Sequence, residues 1–127
     1  MKRELEFYKY EMKAEYLYFW ADTFFSWTRK DFETFAELYQ EIQLPFWCQT
    51  RPETINEHRV KTLKKMGVAR IAFGIEHGNE KFRAKYLDRK MSNEIITEGI
   101  KTVLREEVPV SVNNMIGFPY ETRELAF

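Results

Sequence analysis

The sequence predicts an α/β fold in which about four parallel strands alternate with helices, as successive βα units of a barrel or an open wound sheet. Three observations carry that prediction. Capped amphipathic stretches alternate strictly with short apolar runs. The runs recur at roughly 28–35 residues, the length of a βα unit. Polar side chains gather just after each run, where parallel α/β folds bind ligands.

The elements follow in order. Residues 2–13 predict a helix, with Leu5, Tyr8 and Met12 at helical spacing. Tyr16–Ala21 is the first strand. Thr28, with Asp31 three residues later, caps a helix whose apolar stripe is Phe32, Phe35, Ala36, Tyr39 and Ile42. Pro45–Gln49 is the second strand. Asn56 caps a helix that turns Val60, Leu63 and Met66 inward, and Gly67 ends it. Arg70–Ile75 is the third strand. Ser92 caps a helix with Ile95, Ile96, Ile100, Val103 and Leu104 along one side, and Val110–Met115 is the fourth strand. A last helix starts near Thr122 and is cut off at Phe127.

The strands are apolar enough to be buried on both faces. Four strands do not close a barrel, and an isolated sheet of four leaves two unpaired edges. Residues 1–127 are therefore expected to be one domain, incomplete at both ends, with open edges that favour homo-oligomers.

Composition bounds the function. Apolar residues make up 44% and charged residues 31% of the 127, with a formal net charge of zero. That is a globular composition, and it lacks the basic excess of a nucleic-acid-binding domain. No apolar run reaches the roughly 20 residues of a membrane span, and Met1-Lys2-Arg3-Glu4 does not open a signal peptide, so a cytoplasmic location is expected. Cys48 is the only cysteine and there are two histidines. No internal disulfide can form, and a protein-only zinc site is not expected. Aromatic residues reach 17% and are concentrated in Phe7–Trp47, which predicts large side chains filling a core.

Asp22 and Thr23 follow the first strand and Thr50-Arg51-Pro52 the second. Gly74-Ile75-Glu76-His77-Gly78-Asn79 ends the third. Asn113-Asn114, then Ile116-Gly117-Phe118-Pro119, end the fourth. Four polar strand ends on one rim predict a polar ligand site. Asp22 and Glu76 can serve as acid and base, or accept hydrogen bonds from ribose hydroxyls or an ammonium group. Spacing does not choose between these.

The stretches Tyr16–Phe24, Cys48-Gln-Thr-Arg51-Pro52, Phe73-Gly-Ile-Glu76-His-Gly78-Asn-Glu80, Arg83–Ser92 and Asn114–Thr122 together resemble radical S-adenosylmethionine (SAM) enzymes. The subgroup is similar to those fused to a cobalamin-binding domain. The resemblance implies a partial (βα) TIM-like barrel, with these strands matching the second to fifth of a (βα)6 core. It places Glu76 at the ribose hydroxyls of SAM, and Arg89 at the methionine carboxylate, where a guanidinium fork suits the geometry. The alternative for Arg89 is a surface charge flanking a helix. Asp22 falls at the methionyl amino group. Arg51 is either a second carboxylate or substrate contact or a structural ion pair. Ile116 and Gly117 fall on the strand segment whose backbone lies beside adenine, and Asn114 is a further cofactor-binding position. His77 is expected to be a rim residue and not a ligand.

The same resemblance implies a 4Fe–4S cluster, held by three cysteines in a C-x3-C-x2-C loop, that cleaves SAM to a 5′-deoxyadenosyl radical. A cluster needs thiolates, and this chain has one cysteine, inside a strand, which is expected to be a small buried residue. A D-x-H-x-x-G cobalamin signature is also absent; cobalamin would belong to a parent protein only. The sequence thus predicts the SAM-binding rim of such an enzyme, inactive alone, with the cluster supplied by a preceding segment or a partner chain. A binding module that has lost the cluster is the alternative. A cluster-independent enzyme using Asp22 and Glu76 is a third reading.

Overall fold

The computed structural model describes residues 1–126. Four strands, β1 (Leu17–Phe19), β2 (Phe46–Thr50), β3 (Val68–Glu76) and β4 (Val110–Asn114), form one sheet in the order β1-β2-β3-β4. Every pairing is parallel. Each crossover carries helix: α2 (Arg29–Tyr39) before β2, α3 (Glu57–Met66) before β3, and α4 (Glu80–Tyr86) with α5 (Asn93–Arg105) before β4. Helix α1 (Lys2–Glu6) runs into a π-helical turn, Phe7–Glu11, ahead of β1, and α6 (Arg123–Ala126) follows β4. This is the open, barrel-like βα arrangement that the alternation predicts.

The helices start where their caps are. The Thr28 hydroxyl accepts from the Asp31 amide at 3.2 Å, and the Asn56 side chain accepts from the Arg59 amide at 3.0 Å. Each such cap contributes about 1 kcal/mol. Gly67, at φ 91°, closes α3 in a left-handed conformation that a side chain would strain. Gly99 on α5 has a different reason to be glycine: a Cβ there would lie 2.9 Å from the Pro52 carbonyl oxygen.

The core lies between the helices and one face of the sheet. Phe32, Phe35, Ala36 and Tyr39 of α2 and Val60, Leu63 and Met66 of α3 are buried, as their spacing predicts. They meet Phe46 and Cys48 of β2 and Ile71 and Phe73 of β3. Phe19 packs edge-on against Phe46, with ring centroids 5.2 Å apart. The Tyr39 hydroxyl donates to the Leu44 carbonyl at 2.8 Å, and burial raises its pKa.

Three expectations need correction. Burial on both faces holds for β3, where residues 71–75 are all buried, but not for β1: Tyr18 is 68% exposed, and Trp20 just beyond the strand 85%, because no layer covers that part of the second face among the described residues. In the first helix only Leu5 is buried; Tyr8 and Met12 are exposed, since the π-turn shifts them off the inner face. On α5 the buried stripe is Ile96, Gly99 and Val103, and Ile95 and Leu104 point outward, one helical step off that stripe. Helix α4 was not predicted at all. Of the last predicted helix, Phe127 lies outside the described residues. Among the described residues no helix is long and apolar enough to cross a membrane.

Candidate functional site

Asp22, Arg51, Glu76 and Arg89 converge on one cleft of about 230 Å³, with Gln49, Thr50 and Gly74 completing its lining. The strand-end rule explains the gathering. Asp22 follows β1, Arg51 follows β2, and Glu76 is the last residue of β3. Arg89 arrives from the loop beyond α4 and donates from Nη1 to Glu76 Oε1 at 3.0 Å. Both side chains are about three-quarters or more buried, at 18% and 25% exposed. The second guanidinium nitrogen, Nη2, is buried with no hydrogen-bond partner.

Two backbone features aim Glu76 into the cleft. The β3–β4 register shifts between Gly74 and Glu76, and Glu76 takes a φ of 73°. A bulge of this kind re-aims a side chain at a sheet's end. The carboxylate then folds back over Gly74, where an added Cβ would sit 2.7 Å from Glu76 Oε1. Gly74 is glycine because Glu76 occupies its side-chain space.

Arg83 holds the loop that carries Arg89. It is fully buried. Its Nη1 donates to the carbonyls of His77 (2.6 Å) and Gly78 (3.1 Å), and its Nη2 to the Met91 carbonyl (3.0 Å) and Asn93 Oδ1 (2.6 Å). Desolvation pulls its pKa down. The Arg83 carbonyl in turn accepts from the Arg89 amide at 3.1 Å. One buried side chain thus stitches the turn after β3 to the segment after α4.

The remaining predicted residues lie elsewhere on the rim. Asn114 pairs in register with Glu76 at the end of β4, and it is Asn113 that reaches Gln49, donating at 3.3 Å. Ile116 is 69% exposed, and Gly117 turns the chain at φ 89°. None of these three lines the cleft. His77, expected on the rim, is instead 2% exposed and stacked on Phe82 at 4.2 Å. Its Nε2 pairs with Glu121 at 2.8 Å.

Sequence reasoning missed Gln49, Arg83 and the His77–Glu121 pair. Gln49 alternates on the same face as Trp47, a signal that a polar residue inside a strand gives. The other two join residues across loops and leave no periodic trace. A wider, mostly apolar groove of about 610 Å³ lies near Trp27, Asp31 and Phe35. Its carboxylate, Asp31, accepts from the Thr28 hydroxyl at 2.6 Å, and no polar set converges there.

The donor set for a cluster is not on this chain. Cys48 is buried in the core, and burial pushes its thiol up to about 12. Among the described residues no three His, Cys, Asp or Glu side chains group around a common point.

Known proteins resemble this chain in sequence or in fold. An uncharacterized methyltransferase of Pyrococcus horikoshii is 25% identical over 122 residues, which is 95% of this chain and 26% of that protein. The structure of HemN, the Escherichia coli coproporphyrinogen III oxidase described as a radical SAM enzyme, superposes with a TM-score of 0.73 at 17% identity. That likeness covers 88% of this chain and 27% of HemN, and it shows the shared fold. The chain thus spans about a quarter of the length of each. The family model for the Radical SAM superfamily matches residues 1–126, and with four parallel βα units behind that match, the chain belongs to the Radical SAM superfamily.

Proposed function

We propose that this chain is the SAM-binding rim of a radical SAM enzyme core whose cluster-bearing segment comes from outside residues 1–127. The observation that carries the reading is the Glu76–Arg89 pair with its buried, unpartnered Nη2. A guanidinium that spends one nitrogen on Glu76 and keeps the other free, inside a polar cleft, suits a ligand carboxylate. Asp22 supplies an acceptor for an ammonium group across the same cleft, and Glu76 an acceptor for ribose hydroxyls. Methionine and ribose groups of SAM match that donor and acceptor set. The cleft of about 230 Å³ is smaller than the roughly 300–1,000 Å³ of a complete small-molecule site. It therefore covers part of the ligand, and the exposed segment at Ile116 and Gly117 is assigned to its adenine side.

Bound SAM would supply the 5′-deoxyadenosyl group that a reduced 4Fe–4S cluster turns into a radical. This chain's residues fit SAM and do not fit the cluster, so its part is binding and orientation. Arg51 stands ready as a second carboxylate contact. Cobalamin, cytoplasmic location and homo-oligomerisation through the outer edges of β1 and β4 remain features proposed for the parent or its assembly. A binding module that has lost the cluster is the competing reading, favoured by the polar cleft kept on a chain with one cysteine.

The coding DNA upstream separates the two. A C-x3-C-x2-C frame joined to this one supports the enzyme reading. An intact neighbourhood without such a frame overturns it and leaves the binding module.

A further inference from the structure

We infer that Glu121 and His77 form a clamp that fixes the backbone of Ile116–Phe118 against the turn after β3, and that Glu121 is thereby a positioning residue for SAM. The inference rests on the SAM reading of the rim and extends it to residues outside the cleft.

The last rung between β3 and β4 is the Met115 amide donating to the Glu76 carbonyl at 2.8 Å. Beyond it the two chains separate, one into His77–Asn79 and the other into Ile116–Pro119. One carboxylate ties them together across that gap. Oε1 of Glu121 accepts from His77 Nε2 at 2.8 Å. Oε2 accepts from the backbone amides of Gly117 and of Phe118, the latter at 3.2 Å. The Glu121 side chain is 5% exposed and the His77 side chain 2%.

Every partner in this set has a fixed role. His77 Nδ1 accepts from the Asn79 amide at 3.0 Å, so that nitrogen presents a lone pair and the ring proton sits on Nε2, facing Glu121. The ring is held flat on Phe82, with planes 19° apart, and edge-on to Phe118 at 6.2 Å. Gly117 and Phe118 turn successive amides the same way, with Gly117 at φ 89°. Successive amides in such a turn form a concavity that takes an anion. Here the chain fills it with its own carboxylate. Those amides, the Gly117 amide foremost, hold the Glu121 carboxyl below its ordinary value.

Three N–H groups thus converge on one side chain, and only an acceptor-only group satisfies them. A glutamine of the same shape cannot. Whichever way its amide is turned, its NH2 faces either the His77 N–H or the two backbone amides. The position of this clamp gives it a functional consequence. Its two ends are one residue from Glu76 and one residue from Ile116, so it sets the gap between the ribose-facing carboxylate and the adenine-facing backbone. A shift of that gap moves two contacts of one ligand together.

The test is NMR on the full chain, titrated with SAM, comparing wild type, Glu121→Gln, His77→Phe and the double variant. His77→Phe keeps a ring on Phe82 and removes the N–H, so it reads the clamp from the other side if Glu121→Gln does not fold. In wild type the imidazole nitrogen shifts should report a proton on Nε2, and the Gly117 and Phe118 amides should exchange slowly. Glu121→Gln should speed both amides and raise the SAM dissociation constant about tenfold. Because the clash needs the His77 N–H, Glu121→Gln should weaken binding less in the His77→Phe background than alone.

Unchanged SAM affinity in folded Glu121→Gln and in His77→Phe overturns the positioning role while leaving the SAM reading intact. Additive effects in the double variant overturn the shared clamp. Absence of any SAM-induced shift in wild type overturns the SAM reading and the positioning role with it.

Discussion

The two faces of the sheet are built from the same strands and do different work. On the helix-covered face, Phe46, Cys48, Ile71 and Phe73 are fully buried. On the open face, alternate residues of the same strands are Tyr18, Trp47, Gln49, Arg70, Gly74 and Asn113. The period of two along a strand sorts them. The covered face supplies nearly all the apolar burial, which stabilises by about 1.5–3 kcal/mol per large side chain. The open face carries the polar cleft and an aromatic wall in which Trp20 stacks on Trp47 at 5.8 Å. Stability and the proposed ligand contact are therefore separable by substitution.

Phe46→Ala should give the largest effect. Phe46 is 0% exposed and touches Phe19, Phe24 and Tyr39, and its loss should cost about 3–5 kcal/mol in chemical denaturation. A smaller loss would mean that the covered face is loosely packed.

Arg83→Met should follow. It keeps the length of the side chain but strands the carbonyls of His77, Gly78 and Met91. The expected cost is about 2–3 kcal/mol. Because the loop of Arg89 hangs on this side chain, SAM-induced shifts at Arg89 should shrink as well. Lost stability with unchanged shifts at Arg89 would show that Arg83 serves the fold alone.

Trp20→Ala sits at the small end. Trp20 is 85% exposed, so its removal should change stability by no more than about 0.5 kcal/mol. A cost above 2 kcal/mol would show that the open face is covered in solution, for example by a second copy.

Legibility in the sequence followed the same division. Helices α2 and α3 have clear caps and apolar stripes that do face the core. Helix α4 was invisible because its buried residues are Phe82 and Arg83, and a buried arginine breaks the apolar pattern. At its start Asn79 accepts from the Phe82 amide at 2.9 Å. In the site, Asp22, Arg51 and Glu76 were legible because a strand's end fixes where the next residue points. The Glu76–Arg89 pair spans 13 residues and depends on α4 and Arg83 to close. The His77–Glu121 pair spans 44 and depends on two loops meeting. Neither has a periodicity to read, and only the family resemblance pointed to Arg89.

The central claim is that Glu76 and Arg89 face SAM, and titration of the full chain with SAM followed by amide NMR tests it most directly. The account predicts weak, saturable shifts grouped at Gly74–Gly78, Arg89 and Asn113–Gly117, lost in Glu76→Gln with the rest of the spectrum unchanged. Shifts grouped elsewhere, or undiminished in Glu76→Gln, would contradict it.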